Sequence, residues 1–182
     1  MGFHTYDPSR ADNLEDPTRY QYLSVDELLA LFDPQGTVAD LGSGTGFYTD
    51  HVAPYAETVH AVDVQDEMHE YYREKGAPDN VEFVVAEIAD LPFADDQLDG
   101  AFSTMTYHEF ASDEALGELA RVLRPDALLG IADWTRNGEG GEGPPTDERY
   151  ALQDAMDALT DAGFTVEHAS ERRETFVLRA RR

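Results

Sequence analysis

Apolar residues recur along this chain in two alternating rhythms. Short continuous apolar runs bounded by turn residues predict buried strands at Thr37–Leu41, Thr58–Asp63, Val81–Ile88, Leu98–Tyr107 and Ala127–Trp134. Stretches of helical period lie between them. Ser24 opens one, with Glu27 three residues later as a capping box, and Val25, Leu28, Leu29 and Phe32 fall on one face before Pro34–Gly36 ends it. A second helix-like stretch runs from Phe47 to Ala53, and a third from Gln65 to a closing Gly76. Ser112 caps a fourth that stops by Pro125, and Thr146 to Ala162 reads as an amphipathic fifth ended by Gly163. The last residues, FTVEHASERRETFVLRAR, form two strands with no helix between them. Strands alternating with helices predict a parallel sheet with crossover connections. The final pair must be antiparallel, because a short turn cannot make a parallel crossover.

Length and composition narrow the class. The 182 residues fit a single domain, large enough to bury roughly 70% of its unfolded surface. There is no cysteine, which removes disulfides, thiolate metal sites and cysteine nucleophiles. No apolar run reaches the ~18 residues of a membrane span, and the start, MGFHTYDPSR, lacks an apolar signal core, so a soluble cytoplasmic domain is expected. Thirty-eight acidic residues against 13 basic ones leave a net charge of −25. The acids are spread from Asp7 to Glu174 rather than gathered in a tail, and Lys75 is the only lysine. Such a surface suggests adaptation to high salt, the expectation for a halophilic archaeon, and argues against nucleic acid as a partner.

The chemistry concentrates between the first strand and the following helix. Asp40-Leu41-Gly42-Ser43-Gly44-Thr45-Gly46 occupies the place where open α/β sheets bind ligands. The glycine spacing differs from the dinucleotide fingerprint, in which a third glycine would stand at Phe47, and no phosphate-binding lysine follows. Asp40 would repel a pyrophosphate and suit an amino group. Asp63 ends the second strand about 20 residues on, where a carboxylate can accept hydrogen bonds from ribose hydroxyls.

With these residues the chain resembles the class I S-adenosylmethionine-dependent methyltransferases, over nearly its whole length. AEIADLPFADDQLD (Ala86–Asp99), RVLRPDALLGIADW (Arg121–Trp134) and the terminal strand pair are similar to the family's later segments. Within it the chain looks most like the small type 11 group, through YDPSRADNLEDPTRY near the start, a His-Glu pair after the fourth strand, and Asp-Trp with a later Gly-Pro-Pro after the fifth. The resemblance implies a Rossmann-like fold: seven mostly parallel strands in the order 3-2-1-4-5-7-6, strand 7 antiparallel, helices on both faces. Residues 1–23 would form an N-terminal lid on a core of 24–182.

The same resemblance implies roles. Asp40 and the backbone of Gly42, Ser43 and Gly44 would hold the methionine end of S-adenosylmethionine, and of the product S-adenosylhomocysteine. Asp63 would hold the ribose and Val64 the adenine; Glu87 would contact the adenine amino group beside the Ile88 amide. Ser103 and Thr104 would face the amino acid end. Transfer to an activated sulfonium donor needs mainly alignment, with a base only where the acceptor must lose a proton. His108 and Glu109 are the candidates for that work. Tyr6, Tyr107, His108, Asp133 and Trp134 are candidates for the acceptor side, Tyr6 near the sulfonium where an aromatic face attracts a cation. His4 and Arg19 belong to the lid segment, and loop 137–145 is a second candidate lid. His51, His60, His69 and His168 have no ligand spacing, so they read as surface residues and no metal is expected. A small-molecule acceptor is expected; the alternatives are a protein or RNA substrate, or a protein that binds the donor without catalysis. The acceptor's identity and the oligomeric state are not legible.

Overall fold

The computed structural model describes residues 6–182. Seven strands form one sheet: β1 (Thr37–Leu41), β2 (Thr58–Asp63), β3 (Val81–Val85), β4 (Leu98–Thr104), β5 (Leu123–Trp134), β6 (Thr165–Glu171) and β7 (Thr175–Arg181). Their order is β3-β2-β1-β4-β5-β7-β6, as the resemblance implies. All neighbours on the β3 side of β5 pair in parallel, and β7 runs antiparallel to both β5 and β6. The sheet therefore reverses strand order beside β1 and β4, so the loops after their C-terminal ends open a crevice.

The helices are α1 (Val25–Phe32), α2 (Thr49–Val52), α3 (Asp66–Lys75), α4 (Tyr107–Phe110), α5 (Asp113–Val122) and α6 (Leu152–Asp161). Their caps follow local chemistry. Ser24 and Glu27 form the expected capping box, and Ser112 Oγ accepts from the Ala115 amide. Two apolar clusters cover opposite faces of the sheet. Leu28, Leu31 and Phe32 of α1 pack with Val38 and Phe102 in one; Leu116 and Leu119 of α5 pack with Leu129 and Ile131 in the other.

Several boundaries differ from the sequence expectation. The third strand ends at Val85 rather than Ile88, because the chain turns there to bring Ile88 into the core. The fourth ends at Thr104, and Tyr107 opens the short α4 instead of continuing the strand. The fifth begins at Leu123, before Pro125. On α1 the buried face uses Leu31 rather than Val25. The segment from Thr146 is split: a 3-10 turn, Thr146–Glu148, then extended residues in which Tyr150 bridges Thr135, and only then α6. Arg149, 1% exposed, lies in that extended stretch between the turn and α6.

Residues 8–21 form two 3-10 helices, Pro8–Glu15 and Pro17–Gln21, capped by Asp7 and Asp16. No helix among the described residues is long and apolar enough to cross a membrane.

Candidate functional site

β1 runs into the glycine loop with Asp40 as its penultimate residue, and the geometry there is tightly determined. Gly42 has φ +79°, and a Cβ on it would overlap the Thr106 side chain; Gly46 has φ +78°, and a Cβ would overlap the Tyr72 ring. Both positions therefore need glycine for packing as well as for backbone conformation. The amides of Gly42 and Ser43 donate to the Val62 carbonyl at 2.9 Å. The Gly44 amide donates to Asp63 Oδ2 at 2.8 Å, and the Gln65 amide to Asp63 Oδ1 at 2.9 Å. These three amides are therefore already satisfied within the protein. What the loop presents is a close-approach surface next to two carboxylates.

Asp40 is 1% exposed. Its Oδ2 accepts from Thr49 Oγ1 at 2.6 Å, whereas Oδ1 is buried without a partner. Burial pushes its pKa up to about 7, despite the Thr49 hydrogen bond, with the nearby charge of Asp63 adding to the rise. A buried carboxylate oxygen lacking a donor is costly. A ligand ammonium is the group that would complete it.

Farther along the same edge the surface becomes apolar. Val64 and Val85, at the ends of β2 and β3, are 44% and 54% exposed. Glu87 is exposed and, with Val85, Ala86, Asp90 and Pro92, lines a shallow depression. Ile88 is buried beneath it. Val85 was not among the expected residues; an apolar side chain at the open end of a strand was the signal.

The described part of the N-terminal segment packs on this site. Glu15 accepts from Thr45 Oγ1 at 2.5 Å, and Lys75 Nζ lies 3.1 Å from Glu15 and 2.9 Å from Asp50. Tyr71 donates to Asp12 at 2.8 Å. The Arg19 guanidinium lies over the Phe47 and Tyr48 rings and donates to the Leu14 carbonyl at 2.6 Å. The Tyr6 carbonyl accepts from Gln65 Nε2, and the Arg10 guanidinium lies over its ring, 5.7 Å from the centroid. His4 lies outside the described residues.

Ser103 and Thr104 are adjacent on a strand, so their side chains point to opposite faces of the sheet. Ser103 Oγ is buried and unpartnered. Thr106, not anticipated, closes the site from this side: its hydroxyl donates to the carbonyls of Gly42 and Thr104. Met105 takes φ +59° to make that turn.

Beyond the turn lies an acid–base cluster. Asp133, at the end of β5, is fully buried and accepts from the amides of His108 (2.7 Å) and Trp134 (2.8 Å). It also lies 3.0 Å from His108 Nδ1 through either oxygen. Asp133 thus contacts His108 rather than an open acceptor surface, which corrects its expected place. His108 Nε2 is 3.8 Å from Glu109 Oε1. Burial alone would lower the pKa of His108, but the Asp133 charge and hydrogen bond outweigh it and the net shift is upward. Burial pushes Glu109 up to about 7, partly opposed by His108 and aided by Asp63 and Asp133.

Tyr107 is not on the acceptor side. It is fully buried against Phe110, Tyr150 and Phe176. Trp134 is half-buried, with Tyr22 edge-on at 4.8 Å and Gly143 against its indole. Arg149 pins that loop through the Pro144 carbonyl (2.8 Å) and the Glu142 carbonyl, with Glu174 3.6 Å away. Two of the four histidines expected at the surface are in fact buried: His60 beside Phe93 and His69 beside Phe83.

A family model described as a methyltransferase domain matches residues 39–131. The solved structure of an S-adenosylmethionine-dependent methyltransferase from Aquifex aeolicus is similar over 97% of this chain and 99% of that one, at 34% identity and TM-score 0.88. An O-methyltransferase of Penicillium expansum is 31% identical over 88% of this chain and 66% of its own length. One of Aspergillus nomiae is 34% identical over 70% of this chain and 59% of its own. The chain spans about half the length of several curated relatives it matches. The sheet order, the glycine loop between two strand-end carboxylates and these similarities agree: the chain belongs to the class I S-adenosylmethionine-dependent methyltransferases.

Proposed function

We propose that this protein transfers a methyl group from S-adenosylmethionine to a small-molecule acceptor. The observation that carries the reading is the unpartnered, buried oxygen of Asp40 behind the glycine loop, where the donor's ammonium fits. In this reading Asp40, with the loop surface of Gly42, Ser43 and Gly44, holds the methionine end. Asp63, already fixed by two amides, keeps lone pairs for the ribose hydroxyls. Val64, with Val85, lies along the adenine, and Glu87 and Ile88 stand at its edge. Ser103 and Thr104, at the end of β4, face the donor's amino acid end. When bound, the donor supplies an activated methyl group on a sulfonium centre. The chain's residues hold the reactants in line and exclude water.

Residues 6–23 serve as a lid, tied down through Glu15, Lys75 and Arg19, on a core of 24–182. The candidates for proton handling are His108 and Glu109, and Trp134 stands at the acceptor wall. The named O-methyltransferase relatives support a small acceptor. The fixed orientation of His108 by Asp133 favours catalysis over mere binding of the donor. The dispersed acidic surface supports adaptation to concentrated salt.

Calorimetric titration in molar KCl tests the reading. S-adenosylmethionine and S-adenosylhomocysteine should both bind, and Asp63→Ala should abolish binding of both. A folded wild-type protein that binds neither would end this assignment.

A further inference from the structure

Asp133, His108 and Glu109 form a line from the buried end of β5 toward the glycine loop. Asp133 is sealed from solvent and grips His108 twice, through its amide and through Nδ1. That leaves Nε2 as the free ring nitrogen, and it points to Glu109 at 3.8 Å. The exposure of the side chains increases along the line: 1% for Asp133, 10% for His108 and 24% for Glu109. Glu109 is thus the member that an acceptor can reach, and its charge is felt together with that of Asp63 at the loop.

The groups facing this line come from four elements. Asp133 lies on β5, Glu109 beside His108 on α4, Asp63 on β2, and Arg149 ahead of α6. Three are acidic. The one cation among them, Arg149, is buried, with its guanidinium on the carbonyls of Thr135, Glu142 and Pro144 and beside Glu174. Arg19, across the loop, is stacked on two rings and bonded to Leu14. Neither guanidinium is presented to an anionic acceptor. A field of carboxylates repels such an acceptor and tolerates a neutral or cationic one.

We propose that Glu109 takes the acceptor's proton, with His108 as the relay behind it and Asp133 as the positioning residue for His108. The acceptor is therefore a hydroxyl or amine bearing a proton, and not a carboxylate. This rests on the methyltransferase reading above. The acceptor heteroatom forms its bond to the methyl carbon as the carbon–sulfur bond breaks and that electron pair stays on sulfur. The acceptor's proton passes to the Glu109 carboxylate, which shares it with His108 Nε2 and, as the member of the line nearest solvent, releases it there. An acceptor already ionised would need no such relay.

The test reads protons directly on the protein labelled with ¹⁵N-histidine and ¹³C-glutamate, with S-adenosylhomocysteine binding measured alongside by calorimetry. In Asp133→Asn the proton affinity of His108 should fall by about tenfold, as expected on losing an adjacent charge. Because Asp133 also holds two amides, Glu109→Gln provides an independent arm, and it should lower the His108 affinity in the same direction with binding of S-adenosylhomocysteine intact. Benzyl alcohol or benzylamine added to the S-adenosylhomocysteine complex should shift the Glu109 and His108 signals, whereas benzoate should not. An unchanged His108 titration in both variants overturns the relay. Signals shifted by benzoate, or by none of the three probes, overturn the acceptor class. Loss of S-adenosylhomocysteine binding by the wild type would instead strike the methyltransferase reading itself.

Discussion

At the residue scale, Asp40 carries opposing demands. Its pKa lies near 7, above the ordinary 3.8, because burial disfavours the charged form. The folded state therefore holds the proton more tightly than the unfolded chain does. The associated stability is fully present below about pH 4 and is lost as pH rises through about 7. Above that range an ionised Asp40 destabilises the free protein. Asp40→Asn should raise the melting temperature of the ligand-free protein at pH 8, by on the order of 2–4 kcal/mol of stability. It should at the same time weaken S-adenosylmethionine binding by about 30-fold, the loss of a charged hydrogen bond of about 2 kcal/mol. Thermal denaturation across pH and calorimetry check the two halves. A variant that binds normally would remove Asp40 from the ammonium site.

Much at this scale was legible in sequence, and the reasons differ by residue. Asp40 and Asp63 stand at strand ends flanking a glycine loop, so position alone marks them. Asp133 was marked by the same logic but for the wrong contact, because the pairing with His108 joins residues 25 positions apart. Tyr107 was misplaced because an apolar run gives no sign of where a strand yields to a helix. Thr106 left no signal: its importance comes from the space that Gly42 leaves for its side chain.

At the element scale, the two 3-10 helices near the N-terminus depend on the rest of the site for their position. Their attachment runs through Glu15, which meets both Thr45 on the glycine loop and Lys75 at the end of α3. Glu15→Gln or Lys75→Met should loosen this segment without disturbing the sheet. A partly screened ion pair of about 1 kcal/mol corresponds to roughly fivefold faster release of S-adenosylhomocysteine, which stopped-flow displacement would measure. Release unchanged in both variants would mean that the segment is not a lid. The segment's packing could not be read from its own pattern, since it has few apolar residues and its contacts are polar and distant in sequence. Strand order was legible, by contrast, because alternating strands and helices and one helix-free terminal pair leave few arrangements.

At the scale of the whole molecule, net charge dominates. With −25 spread over a small domain, like charges repel in dilute buffer. The arginines answer locally: Arg121 joins Glu118 and Asp95, Arg181 and Arg179 share Glu167, and Arg136 meets Asp154. Such exposed pairs each contribute little, so screening by salt should matter more. Raising KCl from dilute to molar concentration should lift the melting temperature by roughly 5–10 °C. A flat or falling melting curve would show that the acidic surface is not under repulsive load.

The latch on the N-terminal segment uses the single lysine of the sequence, Lys75, whose amine is held between Glu15 and Asp50 and only 22% exposed. No other side chain in the sequence carries a primary amine. Acylation of Lys75 should therefore speed up when the segment lifts and takes Glu15 away from the amine, and the labelling rate becomes a clock for that motion. Bound ligand that holds the segment down should slow the clock, so the chain carries its own reporter of opening without any engineered residue.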